Sequence, residues 1–291
     1  MTEKSGELLL PVAPPLDGRR FELAVKRLAD SLGYGSDRSP FVGSGLEYVQ
    51  SRPYQPGDPV KAIDWRVTAR TRRVHVKEWE SPRRMPVLLL VDGSASMVVA
   101  SGPRSKYSLA VHVASGLALA SLERVSPVGV LAVGGRPLNI RPSLSRDLVW
   151  QWLHQLRRHT NDAPTTLAAR VAELAGTTRE RSVVIALSDL HDPAGVVALA
   201  QLAQRHDVVA IQLLDPAEEG IVGAGLLRAR EAETGRALVG PSRLRLVDAV
   251  EVGRTLRRKG VDHLLLRTDR PFLHALRHFL AARRVLGRGA R

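Results

Sequence analysis

The sequence predicts an α/β fold with a mostly parallel central sheet and helices on both of its faces. After residue 86, short apolar runs that lack polar alternation recur along the chain, and such runs are typical of strands buried on both sides. Segments with helical periodicity lie between them. The predicted strands are 87–91, 128–133, 183–187, 208–214 and 263–266, and the predicted helices are 106–124, 146–158, 167–175, 194–205, 243–260 and 271–285. This alternation predicts right-handed crossovers between parallel strands.

A less regular region precedes the predicted sheet. Residues 21–32 have the apolar stripe of a helix, and Gly33 follows them as a stop signal. Residues 74–79 alternate as a half-covered strand, and Pro56-Gly57-Asp58 is a turn sequence. Two hairpin arms are expected within the later part, at 138–140 and within 226–239. We therefore divide the chain into an N-terminal helical and β-containing region (1–84), an α/β domain (85–285) and a basic tail (286–291).

The composition excludes several classes of protein. The 291-residue chain is 44% hydrophobic, which is enough for a large core, and it contains no cysteine. Disulfides, thiol nucleophiles and zinc sites with cysteine ligands are thereby excluded. The sequence has neither a run long enough to span a membrane nor the pattern of a signal peptide. We expect a cytoplasmic protein without a transmembrane segment.

The charge is strongly basic, at +14 with a pI of about 11.1. Basic residues are concentrated in 66–84 and 254–291. Such a balance is compatible with nucleic acid or another anionic surface as a partner. However, the sequence shows no nucleic-acid module and no basic surface interleaved with aromatic residues. Nucleic acid is therefore kept as an alternative and is not the expected partner.

Oxygen-bearing side chains follow two of the predicted strands. Asp92, Ser94 and Ser96 come directly after 87–91, and Asp189 follows 183–187. Thr165 and Thr166 open a helix between them. Because parallel strands end at the same edge of a sheet, these groups can converge there, where ligands bind in open α/β sheets. Carboxylate and hydroxyl oxygens suit Mg²⁺ or Mn²⁺. The alternative is a turn in which Asp92 and the serines only cap the next helix.

A second group of residues lies upstream, between 41 and 79. Its charged members are expected to pair with one another and to hold an irregular segment in place. Trp65 and Trp79 are expected to be packing anchors. The residues singled out in this block are Arg52, Tyr54, Gly57, Asp58, Asp64 and Trp65.

The pattern at the sheet edge resembles the metal-ion-dependent adhesion site of von Willebrand factor A-type domains. Asp92-Gly-Ser94-Ala-Ser96 matches its Asp-x-Ser-x-Ser motif, and Ser188-Asp189 is similar to its final Ser/Thr-Asp. The 164–167 segment resembles the threonine loop, which points to Thr165 as a ligand with Thr166 as the fallback. The resemblance implies a von Willebrand factor A-like fold. The sequence departs from the pattern at Ala163 and Pro164, which replace glycines, and at Leu190, which also stands where the family has glycine.

The upstream residues sharpen this resemblance. Arg52-x-Tyr54-x-x-Gly57-Asp58, followed by Ile63-Asp64-Trp65, is similar to the bacterial family called Domain of Unknown Function 58. Members of that family are typically encoded beside MoxR-type AAA ATPases. The resemblance implies a partner or adaptor of such an ATPase, or of another acidic protein.

The chemistry of the motif then favours a metal bridge that is not catalytic. Ser94, Ser96 and Thr165 are neutral ligands, and Asp92 and Asp189 would accept hydrogen bonds from metal-bound waters. An open position would remain for a carboxylate of the partner. Two alternatives stay open: a protein that binds nucleic acid or an anionic surface, and a metal-dependent hydrolase. The hydrolase is disfavoured because Asp92-Gly-Ser94 lacks the second carboxylate of an Asp-x-Asp motif. The sequence also has no Gly-x-Ser-x-Gly elbow, no Walker loop and no His-Glu-x-x-His motif.

Overall fold

The structure is a computed structural model that describes residues 18–33, 47–80, 85–98, 100–134, 138–158, 163–219, 226–230, 237–241 and 248–285. The predicted basic tail and the predicted boundary between 84 and 85 lie at or beyond the limits of these described residues. The strands are β1 (Glu47–Pro53), β2 (His75–Glu80), β3 (Val87–Asp92), β4 (Val128–Val133), β5 (Asn139–Ser143), β6 (Val183–Ser188), β7 (Asp207–Leu214), β8 (Leu226–Arg230), β9 (Ala237–Pro241) and β10 (Asp262–Arg267).

The central sheet has six strands in the order β10-β7-β6-β3-β4-β5. All neighbours in it are parallel except β4 and β5, which form the hairpin predicted at 138–140. Every residue of β3, β4 and β6 is buried, as expected for strands covered on both faces. The predicted α/β class with a mostly parallel sheet is confirmed.

Eight helices accompany the sheet in the described part of the chain: α1 (Gly18–Gly33), α2 (Trp65–Thr71), α3 (Lys106–Glu123), α4 (Arg146–Arg157), α5 (Leu167–Thr177), α6 (Pro193–Leu202), α7 (Ala249–Arg258) and α8 (Leu273–Val285). Apolar residues of α1, α3, α4 and α8 form one core with the sheet, and those of α5, α6 and α7 form a second core on the other face. No helix in the described ranges is long and apolar enough to cross a membrane.

The register of the central strands sets the position of the site. Val87 lies beside Val183 on one side and Val128 on the other, so β3, β4 and β6 start level. Asp92 at the end of β3 therefore stands beside the ends of both neighbours. The polar residues that follow these strands meet at one edge of the sheet.

Two small antiparallel pairs accompany the central sheet. β1 pairs with β2, and β8 pairs with β9, which confirms the predicted hairpin within 226–239. Arg52 in β1 forms a bidentate ion pair with Asp58, with two N···O distances of 2.7 Å. Gly57 has a φ of 108°, as the Pro-Gly turn requires. The expected pairing of charges in this segment is confirmed for Arg52 and Asp58.

Asp64 is buried, whereas its neighbour Trp65 is exposed. The buried Asp64 carboxylate accepts the Ser51 hydroxyl at 2.7 Å and caps α2 by accepting the amides of Arg66 and Val67. Trp65 is 67% exposed, and α2 has no buried residue. The expectation that Trp65 is a packing anchor was therefore wrong, because α2 is short and buries none of its residues, which leaves its first side chain in solvent. Tyr54 is also exposed, and the Trp79 side chain lies outside the described part.

Candidate metal centre

The loop after β3 brings Asp92 and the two serines together. Asp92 is 1% exposed, and its Oδ1 accepts the backbone amide of Ser94 at 3.0 Å. The chain then forms a short 3-10 turn, Ala95–Val98, in which the hydroxyls of Ser94 and Ser96 lie 3.2 Å apart. Gly134, with a φ of 76°, approaches so closely that a Cβ there would lie 3.1 Å from the Ser94 amide nitrogen. A side chain at that position would displace the serine loop.

The two candidate threonines have different surroundings. Thr165 Oγ1 donates to Asp92 Oδ2 over 3.5 Å, which directs its hydroxyl toward the serine loop. Thr166 Oγ1 instead accepts the amide of Gly134 at 2.9 Å and so faces the end of β4. The carbonyl of Ala163 accepts the Ala95 amide at 2.9 Å and joins the two loops. Of the two threonines, Thr165 joins the cluster.

Asp189, after β6, completes the group. Ser96 donates its hydroxyl to Asp189 Oδ2 at 2.7 Å, although 93 residues separate the two. The preceding Ser188 donates to Asp92 Oδ2 at 2.6 Å, which links the two strand ends. All five residues proposed from sequence, Asp92, Ser94, Ser96, Thr165 and Asp189, are therefore brought together. Leu190, the next residue, has a φ of 56°, the backbone conformation that favours glycine.

A buried lysine adjoins this cluster. Lys106, the first residue of α3, is 1% exposed, and its Nζ donates to Asp189 Oδ2 at 2.7 Å. The same ammonium donates to Glu218 Oε1. Glu218 Oε2 accepts the backbone amide of Asp215, just beyond the end of β7. Lys106 therefore connects the candidate site to the loop after the neighbouring strand.

His191 lies beside the same carboxylates. Its Nδ1 is 3.7 Å from Asp189 Oδ2, and its Nε2 is 3.5 Å from Glu218 Oε1. The second contact is within ion-pair range but lacks hydrogen-bond geometry.

Burial and mutual repulsion set the ionisation of the two aspartates. Burial, followed by the charge of Asp189, raises the pKa of Asp92 well above its ordinary value. Burial also disfavours ionised Asp189, but Lys106, His191 and the Ser96 hydroxyl outweigh it and lower the pKa of Asp189. Burial likewise disfavours the Lys106 ammonium, yet Asp189 and Glu218 outweigh it and raise the pKa of Lys106. Asp189 and Lys106 are thus charged, and additional positive charge near Asp92 would favour its ionised form.

This donor set fits a hard divalent cation. Three hydroxyls and two carboxylates offer only oxygen, which suits Mg²⁺ or Mn²⁺ and does not suit softer metals. The repulsion that raises the pKa of Asp92 would be relieved by a cation between the two carboxylates. The hydroxyl protons already point to carboxylates, so the lone pairs of Ser96 and Thr165 can face a cation.

Sequence reasoning missed Lys106 and assigned no role to Asp215 or Glu218. Lys106 forms ion pairs with residues 83 and 112 positions away, and no local pattern reports such a partner. One signal was available, because Lys106 is the only charged residue between 105 and 122, in a helix otherwise rich in small and apolar residues. A lysine at the head of a helix predicted to be buried needs an anionic partner.

Comparison with known proteins identifies relatives along most of the chain. The family model described as "Protein of unknown function DUF58" matches residues 50–246. The uncharacterized protein Rv1480 of Mycobacterium tuberculosis is 31% identical over 283 residues, covering 91% of this chain and 88% of that protein. The uncharacterized protein MAV169 of Mycobacterium avium is 32% identical over 128 residues, covering 40% of this chain and 76% of its own length.

Among solved structures, the conserved hypothetical protein BatB from Bacteroides thetaiotaomicron matches with a TM-score of 0.47 and 15% identity, over 69% of this chain and 99% of that one. The PilB minor pilin from Streptococcus sanguinis matches with a TM-score of 0.42 and 8% identity, over 75% of this chain and 65% of that one. The family match spans β2 to β9 and includes every residue of the candidate metal centre. The chain belongs to the DUF58 family.

Proposed function

We propose that this protein is a non-enzymatic interaction module that binds a carboxylate of another protein through Mg²⁺ or Mn²⁺. The observation that supports this most directly is the convergence of Asp92, Ser94, Ser96, Thr165 and Asp189 at one sheet edge, with Ser96 and Asp189 2.7 Å apart. Residues from three separate loops supply this set. A helix cap alone would not require Thr165 or Asp189 to be near the serine loop.

In this proposal, Ser94, Ser96 and Thr165 hold the cation through their hydroxyl oxygens. Asp92 and Asp189 accept hydrogen bonds from metal-bound water and orient the hydroxyls, as outer ligands do. Mg²⁺ prefers six oxygen ligands at about 2.0–2.1 Å and keeps several waters. Three neutral protein ligands leave positions for water and for one carboxylate from outside.

The partner we propose is a MoxR-type AAA ATPase or another acidic protein, with this chain as its adaptor. The support for the ATPase is the family resemblance of the upstream motif and of Asp-x-Ser-x-Ser. The support for an acidic ligand is the chemistry of the site, since a cation held by neutral hydroxyls attracts a carboxylate. The net charge of +14 would also favour encounter with an acidic partner.

The test is isothermal titration of Mg²⁺ and Mn²⁺ into metal-stripped protein. Wild type is expected to bind one ion, and Asp92→Ala/Ser94→Ala is expected to bind none. Thr165→Ala should weaken binding, whereas Thr166→Ala is a matched control that should leave it unchanged because its hydroxyl faces Gly134. Equal loss in both threonine variants, or binding that survives the double variant, would contradict the proposed ligand set.

One observation favours a second candidate, a protein that binds an anionic surface or nucleic acid. Trp65 is 67% exposed at the start of α2, and the arginines that follow it in and after this helix, Arg66, Arg70, Arg72 and Arg73, are exposed as well. An aromatic side chain among arginines suits stacking and phosphate contact. Binding of this kind should weaken steeply as salt rises and should not depend on Mg²⁺. A pull-down at two salt concentrations, with and without the metal, separates the two candidates.

A further inference from the structure

The buried lysine beside the candidate metal centre needs a role of its own. An ammonium at 1% exposure is costly unless it is paired, and Lys106 is paired with Asp189 and with Glu218. The residues that follow Lys106 in α3 pack into the apolar core. The lysine therefore places a fixed positive charge where the sequence pattern predicts a cation-binding group.

The Lys106 ammonium lies close to one of the proposed hydroxyl ligands. Asp189 Oδ2 accepts both Ser96 Oγ and Lys106 Nζ, each at 2.7 Å. The ammonium and the Ser96 hydroxyl, which is a proposed ligand, therefore donate to the same carboxylate oxygen. In a buried site with little solvent screening, it would repel a divalent cation there and would also neutralise the carboxylate that should attract one.

We propose that Lys106 is a built-in counter-cation that keeps the affinity of the Asp92/Ser94/Ser96/Thr165/Asp189 site for divalent metal low, and that Glu218 partly offsets it. The inference rests on the proposed function and adds how that site is regulated. Net charge around Asp189 sets the metal affinity, so a carboxylate arriving from an acidic ligand strengthens metal binding. By linkage, the metal then strengthens ligand binding by the same factor.

A rival assignment uses the same side chains differently. One ligand atom each from Asp189, His191 and Glu218 lies within 4.8 Å of the others, which resembles a transition-metal site. Lys106 already donates to both of these carboxylates, so a metal there would have to displace a buried ammonium. The experiment below also separates this assignment from ours.

The experiment is titration of Mn²⁺ into the metal-stripped full-length protein and three variants. Lys106→Met removes one positive charge, Glu218→Gln removes one negative charge, and Lys106→Met/Glu218→Gln removes both and restores the original net charge. Methionine replaces the apolar stem of lysine and lacks the ammonium group. We expect Lys106→Met to bind Mn²⁺ at least about tenfold more tightly than wild type, since removing one near charge in a buried site shifts binding by at least that much.

Glu218→Gln should bind more weakly than wild type, and the double variant should return close to it. If Lys106→Met binds Mn²⁺ no more tightly than wild type, the inference is overturned while the proposed function stands. If Lys106→Met does not fold, the double variant and Glu218→Gln give the same comparison. Binding that is tighter in the double variant than in Glu218→Gln supports the inference, and equal binding in these two variants overturns it.

Adding Ser94→Ala/Ser96→Ala to Lys106→Met locates the metal. Loss of the gained affinity supports the inference. Gained affinity that survives the serine changes assigns the metal to Asp189, His191 and Glu218, and overturns it. Absence of Mn²⁺ binding at millimolar concentrations in every folded variant overturns both the inference and the proposed function.

Discussion

Leu190 occupies a backbone conformation that costs a non-glycine residue about 1 kcal/mol. Its φ is 56°, directly after Asp189, and its side chain is 2% exposed in the second core. The sequence departs from the metal-site family pattern here, where glycine is expected. Burial of a leucine side chain, which is worth about 2–3 kcal/mol, exceeds that backbone cost and explains how Leu190 is tolerated.

This balance predicts an unusual order of stability at position 190. Leu190→Ala should lower the free energy of unfolding by about 2–5 kcal/mol because it creates a cavity. Leu190→Gly should be less destabilising than alanine by about 1 kcal/mol, because glycine removes the backbone cost. The controls are the same two substitutions at Leu174 in α5, which is buried in the same core. There the alanine variant should be more stable than the glycine variant. Urea unfolding gives the stability of all four variants. A Leu190→Gly protein that is less stable than Leu190→Ala would contradict the argument.

His263 is a half-buried histidine that favours its neutral form. Its Nε2 lies 2.9 Å from Gln212 Oε1, and Gln212 in turn donates to the carbonyl of Asp189. Burial, followed by the charge of Arg257, lowers the pKa of His263 to about 4. Between pH 6.5 and 4, His263 therefore binds a proton in the unfolded chain but stays neutral in the folded protein. The stability due to this group is complete above pH 6.5 and is lost as the pH falls toward 4.

We expect His263→Gln, whose amide can still donate to Gln212, to lose less stability than wild type between pH 7 and pH 4.5. Asp92 acts in the opposite direction in this range, because its raised pKa lets the folded protein take up a proton. Comparison of the two proteins cancels that common contribution. Chemical unfolding at both pH values gives the difference, and parallel losses would show that His263 is not the source.

At the scale of the helix, α3 is built to lie close to its neighbours. It contains alanine, serine and glycine along its length, and fourteen of its residues are buried. Gly116 faces Leu28 of α1, and an added Cβ there would lie 2.5 Å from Leu28 Cγ. The side chain of Leu28 occupies the space that any residue other than glycine would need.

Gly116→Ala is therefore expected to destabilise the protein by about 1–3 kcal/mol despite the higher helix propensity of alanine. Gly176→Ala in α5 is the matched control, because nothing lies within 4 Å of its added Cβ. That change should be neutral or stabilising by up to about 1 kcal/mol. Thermal unfolding tests both variants. A smaller loss for Gly116→Ala in a Leu28→Ala background than in wild type would identify the contact as the cause.

At the scale of the whole molecule, Arg283 ties α8 to the sheet at the edge opposite the candidate site. One Arg283 nitrogen lies 2.7 Å from both carboxylate oxygens of Asp207, at the start of β7. The other lies 3.2 Å from Asp262 at the start of β10. Because Arg283 is only 7% exposed and both carboxylates are largely buried, its removal would leave them without this partner.

Arg283→Met should cost about 3–5 kcal/mol of unfolding free energy. The control is Arg52→Met, which breaks a bidentate pair that is partly exposed, and it should cost about 1 kcal/mol or less. Guanidinium unfolding of the two variants gives the comparison. Similar losses in both would mean that burial does not set the value of these ion pairs.

The sequence by itself determined the α/β class, the strands that are buried on both faces and the residues that gather at the sheet edge. These features depend on local patterns: apolar runs, turn residues and the spacing of Asp92, Ser94 and Ser96. The tertiary structure placed Thr165 beside Asp92 and Thr166 beside Gly134. It also left Trp65 exposed and brought Lys106 to Asp189 and Glu218. Those outcomes depend on which side chains meet after distant segments pack, and the free energy of such contacts is not encoded in any short stretch of sequence.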